Sequence, residues 1–530
     1  MKRVSKLFAV AIVMASLFTA NAAPKKDKAA EKPAVEEAEK AEKPKKEKKE
    51  KKAKKEKPAK ENAAKEKPAK EKPAKAAKEA KSASPKKMKF DDEKYAASFD
   101  AGDYGACTAM LLGKGDRKNE IRDLLDADML MYHAQNYLAS GKGFLETYGK
   151  MQQATSAFNA SDEVKSAKSN GNNRKYTGAE YERYLAWSMR LACALSLKQD
   201  DVAKGIMNDY TGTFMQEIQE LRAKNEQFEA ESEAALSSEE FTDAKEKLST
   251  SGVDLSFVEP PKKSDKKYET SKFFNYLGTL AYAAYGDFDH AQDFANLYKV
   301  PDAKPITNIP AGKGRLELVA LSGMIGKRAD VSEGKEAHAV MLPIPVLNRT
   351  IPLYTKIAYP IFNPNDQKHN IKSVRAILSN GESATATLVE DFDEAVKIDV
   401  EQKAYGDYNR SVFRNVVKNS VVAASVIAAG IALNQASGKN ALAALAAQIV
   451  FDNAVNAAAN AVANKERADI RQGLCFPNRA SRAGFTVAPG TYNVTVEYLD
   501  AAGKAVETKT IENIEVNAGQ VSVRVSSCEK

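Results

Sequence analysis

Residues 24–89 consist almost entirely of Lys, Glu, Ala and Pro and contain no aromatic side chain, which limits what the chain can fold into. Their 26 lysines face 13 acidic residues, and the sequence EKPAK recurs three times. Such a segment cannot bury enough apolar surface to offset the entropy of ordering, so we predict a disordered, cationic arm at 23–89. Folding is left to residues 90–530, whose net charge of −7 excludes a basic nucleic-acid-binding domain.

The first residues have the order of parts of a secretory signal peptide. Three basic residues precede an apolar run of 12 residues, and small residues follow that run. The run is shorter than the roughly 20 residues that cross a bilayer. We therefore predict a signal peptide at 1–22, cleavage between Ala22 and Ala23, and an exported protein of the periplasm or cell envelope.

Between residues 90 and 300, apolar residues recur at spacings of three and four, which predicts helices. The clearest unit, 273–298, has such residues on both sides of a short turn. Gly286 suits a left-handed turn, Asp287 caps the next helix, and Ala291 is small enough for two helices to approach closely. These residues resemble tetratricopeptide repeats, in which stacked helix pairs share a core. The resemblance implies a helical-repeat domain at 90–300 that binds proteins.

After this region the apolar residues alternate with polar ones, which is typical of strands. We predict a mixed β domain at 301–410, including a hairpin that turns at Asn380-Gly381. Residues 465–530 alternate again and predict a β-sandwich-like C-terminal unit.

The segment between the two β regions, 411–464, is rich in Ala and Val. Its longest apolar or small run, Val421 to Leu433, has 13 residues, which is too short for a membrane span, so a helical hairpin turning near Gly438 is favoured. The predicted fold class is multidomain α + β, with an α-helical repeat domain followed by a β-rich domain that contains this Ala-rich hairpin.

Four cysteines in an exported chain allow three pairings. Cys475 opens the C-terminal β segment and Cys528 closes it, so a bridge between them would hold the last strand. Four unpaired buried thiols are the alternative, because Cys107 and Cys193 lie in apolar helical contexts.

Sequence motifs for catalysis or cofactor binding are absent. The chain has no G-x-S-x-G, H-E-x-x-H or G-x-G-x-x-G, and no two of its four histidines have the spacing of a helical metal pair. The acidic run 390–394 lacks the glycine and the alternating acids of a calcium loop. We therefore predict no catalytic residue, no cofactor and no metal.

The order of these parts is similar to that in a family of uncharacterised exported bacterial proteins. The similarity covers about 90–527 and includes Asp469-Ile470-Arg471 leading to Phe476-Pro477. It implies the architecture of helical repeats, mixed β region, Ala-rich hairpin and terminal β unit, in which Asp469, Arg471 and Pro477 form a structural motif, and it implies no known activity. From the residues themselves we predict a buried ion pair between Asp469 and Arg471 that fixes the hairpin against the sheet.

Three functions remain open at this stage. The leading one is a non-enzymatic cell-envelope scaffold that binds an envelope protein through its helical repeats. The second is binding of an anionic envelope polymer or lipid surface through the Lys-rich arm. The third is an envelope hydrolase or transferase whose site no linear motif reveals. We expect no specific nucleic-acid partner and no transmembrane helix in the mature chain.

Overall fold

The computed structural model describes part of the chain, and the fold is given for that part only. The described residues are 90–113, 120–161, 175–252, 261, 264–333, 338–364, 370–437, 448–457 and 466–530. The predicted signal peptide, the Lys-rich arm and the turn near Gly438 lie outside them. The mixed α and β content predicted from the sequence is confirmed.

Helices dominate the described residues before Gly314, and one long helix follows later in the chain. They are α1 Asp92–Asp100, α2 Tyr104–Leu112, α3 Ile121–His133, α4 Tyr137–Ser156, α5 Glu180–Ser196, α6 Asp200–Asp209, α7 Met215–Ala235, α8 Glu239–Thr250, α9 Lys272–Tyr285, α10 Phe288–Leu297, α11 Lys304–Thr307 and α12 Phe392–Ser437. A π-helical turn, Tyr210–Phe214, joins α6 to α7.

Four pairs of helices share one type of turn. In α1–α2, α3–α4, α5–α6 and α9–α10, a residue with positive φ is followed at once by the N-cap residue of the second helix. The main-chain N–H of that cap residue donates to the carbonyl oxygen five positions earlier, the bond of a Schellman turn. The four turns are Gly102-Asp103, Gln135-Asn136, Lys198-Gln199 and Gly286-Asp287.

The second helix of each pair also has one feature in common. The fourth residue after the cap is small and completely buried, which allows the two helices of the pair to pack closely. These residues are Cys107, Ser140, Ala203 and Ala291, each with 0% exposure. The sequence indicates this arrangement clearly only at 273–298, whereas the structure contains it four times.

The strands form a two-sheet sandwich and two short hairpin-like pairs. They are β1 Gly314–Ser322, β2 Lys327–Asp330, β3 His338–Ile344, β4 Arg349–Thr355, β5 Pro360–Asn363, β6 Ser373–Leu378, β7 Ser383–Thr385, β8 Thr387–Asp391, β9 Arg479–Val487, β10 Gly490–Leu499, β11 Ala505–Val516 and β12 Val521–Cys528. The first sheet has the order β12-β1-β9-β8 and the second the order β11-β10-β6-β7, while β2 pairs with β5 and β3 with β4. Only β1 and β12 pair in parallel among these strands.

The first sheet lies between the helices and the second sheet, which makes three layers. On β1, Val319 and Leu321 belong to the core shared with the helices, whereas Leu316 and Leu318 belong to the core between the sheets. Because side chains alternate along a strand, one strand serves both cores. All nine residues of β1 are consequently buried.

The predicted domain boundaries after residue 300 are wrong. The long helix α12 begins at Phe392, so the boundary between 301–410 and 411–464 falls inside a helix. The C-terminal unit 465–530 is not a separate sandwich either, because β9 and β12 pair with β1, and β10 pairs with β6. Both β regions contribute to the same sheets, and Lys87–Lys530 is one compact unit.

Two parts of this unit are distinguished below. The central unit comprises the four helix pairs and the two-sheet sandwich. The distal unit comprises α8, β3, β4, the last 17 residues of α12, which follow Ser420, and the helical residues 448–457, which share a separate hydrophobic core. At about 1.5 Å per residue, the 46-residue α12 is about 69 Å long and contributes to both units.

Candidate functional site

An extended segment of the chain contacts the first helices of three pairs, α1, α3 and α5. We call the side of the helix pairs that it crosses the inner face. In this crossing segment, residues 471–477, the N–H of Gly473 donates to Glu182 Oε1 of α5 at 2.8 Å. The N–H groups of Leu474 and Cys475 both donate to Asp126 Oδ1 of α3, at 2.5 and 2.8 Å. Two buried carboxylates therefore hold three consecutive main-chain amides, as a receptor holds a peptide.

Side chains of the crossing segment complete the contact. Phe476 is fully buried and stacks on Phe144 of α4 with ring centroids 6.2 Å apart. The Cys475 thiol lies 3.5 Å from the hydroxyl of Tyr95 on α1. A Cβ at Gly473 would lie 3.0 Å from the Phe476 ring and 3.3 Å from Leu125, so these neighbours would have to move by a few tenths of an ångström. A glycine at this position lets the segment pass close to α3 without that adjustment.

Burial sets the charge state of this face. It raises the pKa of Asp126 to about 7, although the N–H donors of Cys475 and Leu474 act to lower it. Burial also raises the pKa of Glu182, against the opposing effect of Arg328. Burial, and next the charge of Asp126, raise the pKa of the Cys475 thiol well above its usual range. The thiol therefore stays protonated, which is the opposite of an activated nucleophile.

The predicted motif residues lie at the edge of this contact. Arg471 Nη2 and Asp469 Oδ2 are 2.8 Å apart, so the structure has this ion pair, with about 15% of each side chain exposed. The Arg471 guanidinium lies over the ring of Tyr176 at 5.2 Å. Pro477 is buried between Phe476 and the start of β9.

A charged cleft adjoins the crossing segment. Its lining comes from residues 175–179, from Arg328 and from α12. The space open to a water-sized sphere is about 20 Å³, enough for roughly one water molecule. The full lining is Lys175, Tyr176, Thr177, Gly178, Ala179, Asn225, Arg328, Pro360, Asp399, Val400, Lys403, Asp407 and Asp469.

The carboxylates of this cleft have basic partners. Asp399 pairs with the buried Arg328 and, at 2.7 Å, with Lys403. Asp407 pairs with Arg410, and Asp469 with Arg471. Each of these carboxylates has a basic group beside it, so the charges neutralise one another. The arrangement is that of a structural charge network.

The predicted bridge between Cys475 and Cys528 is not formed in the structure. All four cysteines are free and buried. Alternation along β12 turns Cys528 into the core between the sheets, whereas Cys475 belongs to the core of the helices. The first sheet thus separates the two thiols.

An ionic contact ties the C-terminal strand instead. Glu529 Oε1 lies 2.6 Å from His133 Nδ1, and Tyr104 donates to Glu529 Oε2 at 3.2 Å. The other ring nitrogen of His133 lies 3.1 Å from the carbonyl oxygen of Cys475. Burial acts to raise the pKa of Glu529, but the charge and hydrogen bond of His133 lower it well below its usual range. One histidine therefore connects the C-terminus and the crossing segment to α3.

The acidic run at 390–394 binds main chain and hydroxyl groups. Glu390 accepts hydrogen bonds from Ser271 Oγ at 2.6 Å and from the N–H of Phe273 at 2.8 Å, at the start of α9. Asp393 accepts from the N–H of Gly326 at 2.5 Å. Across the described ranges, no three His, Cys, Asp or Glu side chains lie together in a way that would hold a metal ion.

The sequence interpretation missed Asp126 and Glu182. A signal was present, because each acidic residue interrupts the apolar face of a helix that is otherwise buried. A charge in such a position requires a partner. Its partner could not be identified from the sequence, since the donors lie 348 and 291 residues further along the chain.

Comparison with known proteins does not identify this site. The chain matches no family model, no curated protein and no solved structure.

Proposed function

We propose that this protein is a non-enzymatic, exported scaffold of the cell envelope whose helix pairs bind another protein. The observation that carries the proposal is the fourfold use of one turn, with a small buried residue at the same position of each pair. Repeats of the tetratricopeptide type are built from such pairs, and stacked repeats present extended surfaces to partners.

The inner face of the pairs supports a binding role, because it already holds an extended segment by its main chain. Since the crossing segment and the first sheet cover that face, an external partner would contact the second helices, α2, α4, α6 and α10. On α4, Leu138 and Leu145 are 53% and 47% exposed. Seven residues apart, they lie on one side of the helix at a separation of about 10 Å. We call them the outer patch.

The test is recovery of a partner from envelope extract with the mature chain. Replacing both leucines of the outer patch by aspartate should abolish recovery, because charges there would be buried without partners at the interface. A matched control, Val421→Asp with Ile431→Asp in the distal unit, adds the same charge and should retain the partner. Recovery of nothing beyond a bead control, or equal recovery by both variants, would contradict the proposal.

A further inference from the structure

Among the described residues, the part of α12 beyond Ser420 has neighbours on one side only. Val422, Val426 and Leu433 pack into the distal core. Val421 and Ile431 are 58% and 41% exposed. At 100° per residue, Val421, Ala424, Ala428 and Ile431 fall within an arc of about 80°, and all four are exposed.

The helical residues 448–457 add to this apolar surface. Phe451 and Val455 belong to the distal core, while Ile449 and Val450 are 55% and 54% exposed. We call the exposed residues of both helices the distal face: Val421, Ala424, Ala428, Ile431, Ile449 and Val450. Isolated exposed apolar residues are common in soluble proteins, but a row of them along one helix marks a contact surface.

The length and hydropathy of α12 are compatible with contact with lipid. In the described part, Phe392–Gln435 alone is long and apolar enough to cross a membrane, with a mean hydropathy of 1.9 over its most apolar 18 residues. A buried core helix meets the same criteria, yet only 44% of that window is buried. Because the inner side of α12 packs on β3, β4 and α8, the helix suits a position along the membrane surface better than one across it.

The distal face itself is nearly uncharged, and the positive charge that favours an anionic surface lies in the Lys-rich segment 24–89. Between Lys418 and Lys465 the sequence has two charged residues, Lys439 and Asp452. Asp452 is neutralised by its ion pair with Arg349. The residues 419–437 contain no aromatic side chain and no Arg, the types that protein interfaces favour. The chain also carries the Lys-rich segment 24–89, which attracts anionic lipids.

From these observations we propose that the distal face is a lipid-contacting surface that lies in the interface of an anionic bilayer, with the Lys-rich arm as a second attachment. Two signals are needed for stable attachment of lipidated proteins, for example one acyl chain and a polybasic patch, and here the distal face takes the place of the acyl chain. This inference is independent of the proposed protein-binding role, which concerns the outer patch of α4.

Flotation of the mature chain with vesicles tests the inference. Vesicles of phosphatidylcholine with phosphatidylglycerol, and of phosphatidylcholine alone, are used at low and at high salt. Val421→Asp with Ile431→Asp should weaken binding to the mixed vesicles at least about tenfold, and the weak binding that remains at high salt should disappear. The outer-patch variant Leu138→Asp with Leu145→Asp adds the same charge and should bind like the unmodified chain.

A second measurement does not depend on a destabilising charge. Vesicles with brominated acyl chains should quench the tryptophan fluorescence of the Val421→Trp variant but not that of the Leu138→Trp variant. The buried Trp187 gives the same background fluorescence in both. Equal flotation of the two aspartate variants, or no quenching at position 421, would overturn the inference. Binding that salt abolishes entirely in the unmodified chain would show that the arm alone attaches the protein, and would also overturn it. Loss of a protein partner by Val421→Asp with Ile431→Asp, with vesicle binding intact, would make the distal face a protein interface.

Discussion

The central and distal units cover their apolar residues differently. In the central unit, α9 is buried continuously from Phe273 to Ala283, and β1 is buried along its whole length. In the distal unit, one side of α12 beyond Ser420 is packed and the other carries exposed Val and Ile. The two helices thus have different environments, because the strands β8 and β12 of the first sheet pack on α9.

The comparison shows that the environment of an apolar helix in this chain depends more on which segments pack over it than on its apolar content. Covering the inner face of the helix pairs requires main-chain groups of residues 471–477 to be buried, and buried main-chain amides need acceptors. Asp126 and Glu182 supply those acceptors. The distal face needs no such acceptors, since nothing within the described residues covers it.

The largest effect is expected from removing the ring that anchors the crossing segment. Phe476→Ala should lower the free energy of unfolding of the central unit by about 3–5 kcal/mol, because the ring is fully buried. The matched change in the distal unit is Phe451→Ala, whose ring is 8% exposed. Denaturant unfolding combined with amide hydrogen exchange measures both.

For Phe451→Ala, faster exchange should be confined to α8, β3 and β4. For Phe476→Ala it should extend through α5 and β1. If Phe451→Ala accelerates exchange in α5 to the same extent, the two units unfold together and the distinction between them is wrong.

A smaller effect is expected from pH, through the carboxylate that binds the crossing segment. The pKa of Asp126 is about 7 in the folded protein, against about 3.9 in an unfolded chain. The folded state therefore holds the extra proton between these values, so its stability falls as the pH rises through 7. Between pH 5 and pH 8 this amounts to roughly 2–3 kcal/mol.

The measurement is the free energy of unfolding as a function of pH, for the unmodified chain and for Asp126→Asn. The asparagine keeps an oxygen acceptor for the amides of Leu474 and Cys475 but does not titrate. Its stability should depend less steeply on pH over this range. Other carboxyl groups whose pKa burial raises, among them Asp128 (to about 7) and Glu182, contribute to the remaining slope. Identical slopes for the two proteins would refute the assignment.

The features that could be predicted from the sequence are those that depend on residues close together along the chain. It located the turn at Gly286-Asp287, where Gly286 has a φ of +89°, and the hairpin at Gly381, with a φ of +91°. It did not reveal that β1 pairs with β12, more than 200 residues later, nor that β10 pairs with β6. Alternation marks each strand but not its partner, so one sandwich made of two chain segments appeared as two domains.

For the site residues too, contacts between neighbours in the sequence could be predicted, whereas contacts between distant residues could not. The Asp469–Arg471 pair joins residues two positions apart and is visible in the sequence. The contact of His133 with Glu529 joins residues from opposite ends of the folded region, and neither has a local pattern that predicts it. The predicted disulfide is wrong for a related reason. Cys475 shortly precedes β9 and Cys528 ends β12, and both strands belong to the first sheet. The Cys475 thiol lies in the core of the helices, whereas the Cys528 thiol lies in the core between the sheets.

The C-terminal contact provides a prediction of intermediate size. Glu529→Ala should destabilise the central unit by about 2 kcal/mol at neutral pH, because it leaves His133 and Tyr104 without a charged acceptor. Since the pKa of Glu529 is lowered on folding, its contribution is present above the unfolded value of about 4.3 and is lost as the pH falls. Unfolding at pH 7 and at pH 3 should therefore show a difference between variant and unmodified chain that shrinks in acid. The control is Lys530→Ala, at an exposed neighbour, which should change stability little at either pH.

The smallest effects are expected from single methyl groups, and they compare packing in the two units directly. On α4 of the central unit, a Cβ at Gly143 would lie 2.0 Å from Asp128 Oδ1, while Gly149 has no atom within 4 Å of the same position. Gly143→Ala should displace a buried carboxylate and destabilise by at least about 1 kcal/mol. Gly149→Ala should stabilise by up to about 1 kcal/mol, because alanine is the better helix former.

On α12 of the distal unit, a Cβ at Gly430 would lie 3.2 Å from Ile344 Cγ2 and 3.3 Å from Leu347 Cδ1. Both neighbours would need to move by only a few tenths of an ångström. Gly430→Ala should therefore be close to neutral, since the gain in helix propensity offsets the small adjustment in packing. Thermal unfolding of the three variants measures these differences. A loss at Gly430 as large as that at Gly143 would mean that the distal core is packed as tightly as the central one, and that the two units differ only in what covers their outer faces.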